Sequence, residues 1–259
     1  MSQASIKENE VDIVIGAIHP DLTSFMNGWR SVFSRFHLII VKDPDLKQEL
    51  NIPDGFDVDV YTKSDIDRVV GSSSISFSGY SCRYFGFLVS RKKYVVSIDD
   101  DCLPAQDSTG DFVDAVAQHI VNLTNPATPF FFNTLYDPYC KGADFVRGYP
   151  FSLRTGVACA LSCGLWLNLA DYDAPTQALK PGERNARYVD AVLTIPTGTL
   201  MPSVRLPRTA TTAEDCVVEM AGAIKQQLGA TDPVFARAAE AMVEWIRIWK
   251  AVGSGSPGK

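Results

Sequence analysis

The sequence predicts an α/β protein: a mainly parallel sheet flanked by helices, followed by amphipathic C-terminal helices. Three observations carry that expectation. Short β-branched runs, Val11-Asp-Ile-Val-Ile15, His37-Leu-Ile-Ile-Val41 and Tyr94 to Ile98, are separated by segments long enough for helices. One run ends abruptly in Asp99-Asp100-Asp101, and α/β sheets bind ligands beyond the carboxyl ends of their strands. Near the C-terminus, Phe235, Ala238, Met242, Trp245 and Trp249 recur at helical spacing.

Taken in order, the first strand stops at Gly16, and a helix is expected from Leu22 to about Phe33. The second strand is closed by Lys42-Asp43-Pro44-Asp45, which is turn chemistry. A third extended run, Phe56 to Tyr61, alternates apolar and acidic residues, and Ser81 to Ser90 reads as a helix leading into the strand at Tyr94. Beyond it, Asp111 to Leu123 places Val113, Val116, Ala117 and Ile120 at helical spacing, and Phe130-Phe-Phe132 reads as a buried strand ended by Asn133. Residues 136 to 156 mix Gly, Pro, Asp and Arg with aromatics, as a binding loop does. Ala213, Val217, Met220, Ile224 and Leu228 form a further amphipathic helix with Thr211 or Thr212 as N-cap. The Trp and Met stripe of the last helix reads as core or partner-docking surface rather than a cofactor box. The tail from Gly253 to Lys259 is expected to be disordered on composition.

The 259 residues carry a formal net charge of −6, which argues against general nucleic-acid binding. The polar start MSQASIKENE lacks the features of a secretory signal, and the longest apolar runs are strand-sized, so no transmembrane segment is expected. Six scattered cysteines without a C-x-x-C pair, and three histidines (His19, His37, His119) without zinc-ligand spacing, argue against a structural zinc site and for reduced thiols in the cytosol. The sequon at Asn122 is then a chance match. Gly71-Ser-Ser-Ser is no phosphate loop, since the Walker lysine is missing, and no G-x-G-x-x-G follows the first strand.

The chemistry concentrates at the acidic triplet. Three adjacent carboxylates repel one another, so the stretch is either a solvated acidic turn or a cation site. If the strand persists, Asp99 and Asp101 point to one side and Asp100 to the other. Two carboxylates on one side suit a hard divalent cation that keeps waters and phosphate oxygens as its other ligands. Among the basic residues, Arg83, Arg147 and Arg154 stand out, since guanidinium forks grip phosphate, although each taken alone is an ordinary surface charge. Arg91-Lys92-Lys93 lies at the far end of the strand and reads as a solvated turn.

The stretches VDIVIGA, SRFHLIIVKDPD, GYSCRYFGFLVSRKKYVVSIDDDC, FFFNTLYDPYCKGADFVRGYPFSLR and GLWLNLADYDAPTQ resemble the plant reversibly glycosylated polypeptides, which include the UDP-arabinopyranose mutases. The likeness runs from about residue 11 to 202 and resumes from TTAEDCVVEM through EWIRIWK. It implies a GT-A-like nucleotide-sugar fold in which Asp99, Asp100 and Asp101 match the D-x-D motif that binds the cofactor and nucleotide. By this analogy Mn²⁺ or Mg²⁺ is held by Asp99 and Asp101. The implied reaction interconverts UDP-L-arabinopyranose and UDP-L-arabinofuranose for cell-wall polysaccharides, an isomerase chemistry. Arg147 matches the arginine that becomes reversibly glycosylated, and Arg154 matches a second arginine needed for activity. Asp144, three residues before Arg147, is a candidate base or simply orients the guanidinium. The resemblance further implies homo- or hetero-oligomers with paralogous subunits and a cytosolic location, peripheral to the Golgi.

The likeness breaks after Gly198-Thr-Leu-Met-Pro202, where family members continue through a long second part of the catalytic domain. Here Ser203 to Arg208 leads straight into the C-terminal helices, which reads as a shortened isoform or gene-model error rather than a new compact enzyme. The expected organisation is a disordered start (1–10), an incomplete GT-A-like domain (11–202), a junction (203–210), C-terminal helices (211–252) and a disordered tail (253–259). The expected consequence is exposed apolar surface and weak or absent mutase turnover. A self-glycosylating glycosyltransferase and a non-catalytic subunit of a mutase complex are the alternatives.

Overall fold

The computed structural model describes residues 7–106, 109–124, 162 and 209–254. The strand expected at 130–132, the loop at 136–156, Asp144, Arg147 and Arg154 lie outside the described residues. The chain divides into two compact units, one made of Glu8–Leu103 with Ile195–Lys259, the other of Pro104–Thr194 with Met1–Lys7.

The first unit is built on four parallel strands: β1 (Val11–Ala17), β2 (His37–Lys42), β3 (Val58–Tyr61) and β4 (Tyr94–Asp99), in the order β3-β2-β1-β4. The chain winds outward from β1 through β2 to β3 and then crosses back to add β4 on the other side of β1. That reversal is a topological switch point, and the crevice it leaves lies at the carboxyl ends of β1 and β4. β1 is buried along its whole length, which explains why its sequence is near-continuously apolar rather than alternating.

Side-chain alternation sends Val14, Ile39 and Val41 to one face of the sheet, where they form a core with Phe85 and Leu88 of α4 (Arg83–Val89) and Ile66 and Val70 of α3 (Lys63–Val70). Two closely packed surfaces meet at Gly86. A Cβ there would lie 2.4 Å from Val14 Cγ1, so the glycine is what lets α4 settle onto β1. Ile248 of the last helix, α7 (Pro233–Ser254), completes the same cluster, and Trp245 stands edge-on to Tyr84 at 6.0 Å. Arg91 donates to the Val252 carbonyl as well as to Leu88 and Ser90, so the exposed turn of Arg91, Lys92 and Lys93 expected from sequence also ties α7 to the sheet. α7 and the helix before it, α6 (Ala213–Leu228), form where they are expected. The buried residues are Ala221 and Ala223 in α6 and Ala239, Ile246 and Ile248 in α7, while Ala213, Ala238 and Trp249 of the expected stripes are exposed. Thr212 is the N-cap of α6, accepting from Asp215 N at 3.1 Å.

Several expectations need correction. The helix expected over Leu22–Phe33 is two short helices, α1 (Thr23–Gly28) and α2 (Arg30–Phe33), broken at Trp29. Asn27 and Gly28 are poor helix formers, and Trp29 is tied elsewhere by its indole. The segment from Ser81 starts as a 3₁₀ turn, Gly79–Cys82, before α4 begins. α3 was not anticipated, although Thr62 and Asp65 form a capping box at its start. α7 continues through Gly253 to Ser254.

In the second unit, helix α5 spans Ala115–Thr124, four residues later than its apolar spacing suggests. Asp114 accepts from Ala117 N and so starts the helix, while Phe112 bridges to Gln106 in extended form.

Candidate functional site

The site grows from the register between β1 and β4. Gly16 pairs with Asp99, so the last residue of β4 stands beside the end of the central strand, at the mouth of the switch-point crevice. The chain then turns, with Cys102 N donating to the Asp99 carbonyl, and the Trp29 indole donates to the Cys102 carbonyl at 2.9 Å. The interruption between α1 and α2 thus anchors the acidic turn.

The strand ends at Asp99, so the condition for alternation fails, and it is the turn at Asp100 and Asp101 that parts the three carboxylates. Asp100 turns inward, its side chain fully buried. Its Oδ2 accepts from Ile18 N at 2.8 Å and His19 N at 2.9 Å, and its Oδ1 lies 3.1 Å from His19 Nδ1. It therefore holds the loop that leaves β1. From the far side the same loop is held by Asn51, whose backbone bonds Pro20 and Leu22 and whose amide donates to Asp21 and Thr23. Hydrogen bonds from Thr23 hold the Asp21 carboxyl below the usual range.

Asp99 and Asp101 share the other side, and with Cys102 they offer donor atoms within 4.8 Å of one another. Arg83 meets them from the start of α4. Its Nη2 stands 2.6 Å from Asp99 Oδ1, its Nε donates to the Tyr80 carbonyl at 2.9 Å, and its guanidinium lies 5.3 Å from the Tyr80 ring centre. Gly16 makes this approach possible: a Cβ there would meet Cys82 Sγ at 3.0 Å and Arg83 Cβ at 3.4 Å. Although Arg83 is close, Asp99 Oδ1 is buried and receives no aligned hydrogen bond. A buried carboxylate oxygen in that condition, beside a second carboxylate, is what a hard cation would take. The donor set therefore fits a divalent metal through Asp99 and Asp101, with Arg83 as a neighbouring fork for anionic oxygens.

The surroundings carry the same negative field. Burial, and then the charges of Asp101, Asp99 and Asp100, push the Tyr80 phenol up. Burial pushes the Cys82 thiol up to about 12, so it packs as an apolar group, donating weakly to the Val41 carbonyl. Among the sequence-predicted residues, Asp99, Asp100, Asp101 and Arg83 come together at this corner, whereas Arg147 and Arg154 lie outside the described residues. His19 and Trp29 were not foreseen. Nothing in their local pattern marks them, because each acts on a residue more than seventy positions away.

A family model, described as "Reversibly glycosylated polypeptide", matches residues 6–204 and 201–254. The chain belongs to that family. It is 50% identical over 348 residues to "Probable UDP-arabinopyranose mutase 5" of Arabidopsis thaliana, a match covering 99% of this chain and all of the relative. To "Probable inactive UDP-arabinopyranose mutase 2" of Oryza sativa subsp. japonica it is 46% identical, covering 97% of this chain and 99% of the relative. With "UDP-arabinopyranose mutase 1" of the same rice it shares 57% identity over 197 residues, covering 75% of this chain and 54% of the relative.

The 348 aligned positions exceed the 259 residues of this chain, so it is a shortened member of the family. The two family matches meet at residues 201–204, where the sequence turns from Met201-Pro202 towards the C-terminal helices. Of those helices, α7 reaches the sheet core, through Ile248. None of the described helices is long and apolar enough to cross a membrane.

Proposed function

We propose that this chain is a UDP-arabinopyranose mutase-type protein that binds a UDP-sugar through a divalent cation at the β1–β4 switch point. The observation that carries this reading is the pairing of Asp99 and Asp101, donor atoms within 4.8 Å, with Asp99 Oδ1 buried and lacking an aligned donor. Relatives named as UDP-arabinopyranose mutases support the reaction class, an intramolecular transfer.

In this reading Asp99 and Asp101 hold Mn²⁺ or Mg²⁺, and Asp100 keeps the β1 exit loop in place beside the nucleotide. When bound, the cation supplies Lewis-acid neutralisation of the diphosphate. Arg147 is the residue that carries the sugar: its nitrogen bonds to the anomeric carbon as the bond from that carbon to the diphosphate oxygen breaks. A guanidinium is a poor nucleophile, so it must lose a proton, and Asp144 is the proposed acceptor. Arg154 assists. The protein works in the cytosol, at the cytosolic face of the Golgi, in homo- or hetero-oligomers.

A second reading, a non-catalytic subunit, is favoured by two observations: the chain is shorter than its relatives, and one close relative is named inactive. We infer that the omitted segment falls at the join near residues 201–204 and that turnover is weak for want of a complete sugar pocket. Incubating the pure chain with labelled UDP-arabinose and Mn²⁺, followed by mass-spectrometric mapping, tests both. Label on Arg147 with slow interconversion is the expected result. Fast interconversion would overturn the impairment. A monodisperse protein with no label, yet co-purifying with mutase activity that survives Arg147→Ala, would establish the subunit reading. Label passing to a separate acceptor would instead make it a glycosyltransferase.

A further inference from the structure

Arg83 has a relation to the carboxylate pair that its proximity alone does not explain. Its Nη2 is only 2.6 Å from Asp99 Oδ1, so the charges are fully engaged, yet no N–H is aimed along that line. The aligned bond of this side chain goes to the Tyr80 carbonyl through Nε, and the guanidinium also lies over the Tyr80 ring. Two anchors on Tyr80 thus fix the base of the fork, while the outer nitrogen rests on the carboxylate without a directional bond. The backbone at Arg83 is fixed as well, since the 3₁₀ turn before it packs against Gly16 at close contact. The side chains of Arg83 and Asp99 are 22% and 34% exposed, so part of each faces solvent, although the contact atom Asp99 Oδ1 is itself buried.

We propose that Arg83 is the resident counter-charge of the acidic pair, a positioning residue that a divalent cation displaces from Asp99 and that then presents its freed nitrogens to the diphosphate. This rests on the metal and nucleotide reading of the site given above. The displacement turns the planar guanidinium as one unit, so its Nε bond to the Tyr80 carbonyl turns with it. Its consequence is competition: without nucleotide, Arg83 and the metal contend for the same oxygen. With nucleotide, the anionic phosphates draw the guanidinium away, so each ligand favours the other. No covalent step is involved.

The decisive experiment is titration of the full chain with Mn²⁺ alone, in the wild type, Arg83→Gln and Asp101→Asn, followed by UDP at saturating Mn²⁺. Arg83→Gln should bind Mn²⁺ alone more tightly, by about fivefold, the scale of a partly exposed ion pair. Its UDP affinity should fall by roughly tenfold or more for loss of a charge-assisted bond. Asp101→Asn should lose Mn²⁺ binding by at least about tenfold, as removal of a charged ligand requires. If Arg83→Gln leaves Mn²⁺ affinity unchanged or weaker while Asp101→Asn loses it, the counter-charge role is refuted and the metal site stands. If Asp101→Asn binds Mn²⁺ like the wild type, the metal site itself falls and the proposal with it. A second readout needs no variant: modification of wild-type Arg83 by phenylglyoxal, mapped by mass spectrometry, should be faster with Mn²⁺ and suppressed on adding UDP. A rate insensitive to Mn²⁺ would overturn the displacement.

Discussion

Replacing Asp100 separates two roles that a row of three carboxylates leaves entangled. Its side chain is fully buried and accepts from the amides of Ile18 and His19 at 2.8 and 2.9 Å, with His19 Nδ1 at 3.1 Å. Hydrogen bonds to a charged acceptor contribute about 1.5–3 kcal/mol each, against about 1 kcal/mol for neutral ones. Asp100→Asn keeps an oxygen for the two amides but weakens both, and it puts an NH₂ group opposite the imidazole. A loss of about 1–2 kcal/mol is expected, or roughly 3–6 °C in melting temperature for a chain of this size. Asp100→Ala leaves two amides without their acceptor and should cost about 3–5 kcal/mol. Thermal melts followed by circular dichroism give the stability; Mn²⁺ titration gives the site. Asp100→Asn should keep Mn²⁺ affinity within about twofold of the wild type, since electrostatic couplings through an intact backbone are modest. Were the variant to melt like the wild type and lose Mn²⁺ as Asp101→Asn does, Asp100 would be a metal ligand and the loop-holding argument would fail.

Gly86→Ala should destabilise the protein by about 1–2 kcal/mol in urea unfolding, because overpacking against Val14 outweighs a helix-propensity gain of about 1 kcal/mol; a stabilised variant would refute the close fit of α4 on β1. The Asp65 carboxyl is held below its usual value chiefly by the Thr62 amide, so its stabilisation of α3 is complete above the ordinary carboxylate range and disappears as pH falls through the lowered value. Melts taken through that acid window should slope less in Asp65→Asn than in the wild type; equal slopes would count against the capping box. Iodoacetamide on the native chain at mildly alkaline pH should alkylate exposed Cys102 and spare buried Cys82, whose thiol is pushed up to about 12; comparable labelling of both would contradict that burial.

Much of the site was legible in order of residues because it depends on local rules. The apolar run Tyr94 to Ile98 marks the strand, and the carboxyl end of a parallel strand is where ligands bind, whereas Asp100 parts from its neighbours through a turn that alternation does not describe. The helices α6 and α7 were legible because a period of three to four residues is written in the chain itself, although the face each one buries was not. α3 had a local signal too, the Thr62–Asp65 box, but its short apolar face of Ile66 and Val70 gives a weak period. The split at Trp29 was hidden, because what ends the helix is a bond to the Cys102 carbonyl far along the chain.

By itself, then, the sequence determined the α/β class, the family, and the strand that delivers the three carboxylates. Tertiary structure alone decided what each of them meets. Asp100 meets the loop after β1 because β4 crosses back to lie beside β1, and Asp99 meets Arg83 because Gly16 lets the turn before α4 close in. The physical reason is range: propensity and periodicity act over a few residues, whereas these contacts join positions up to eighty-two apart, whose encounter only the sheet order specifies.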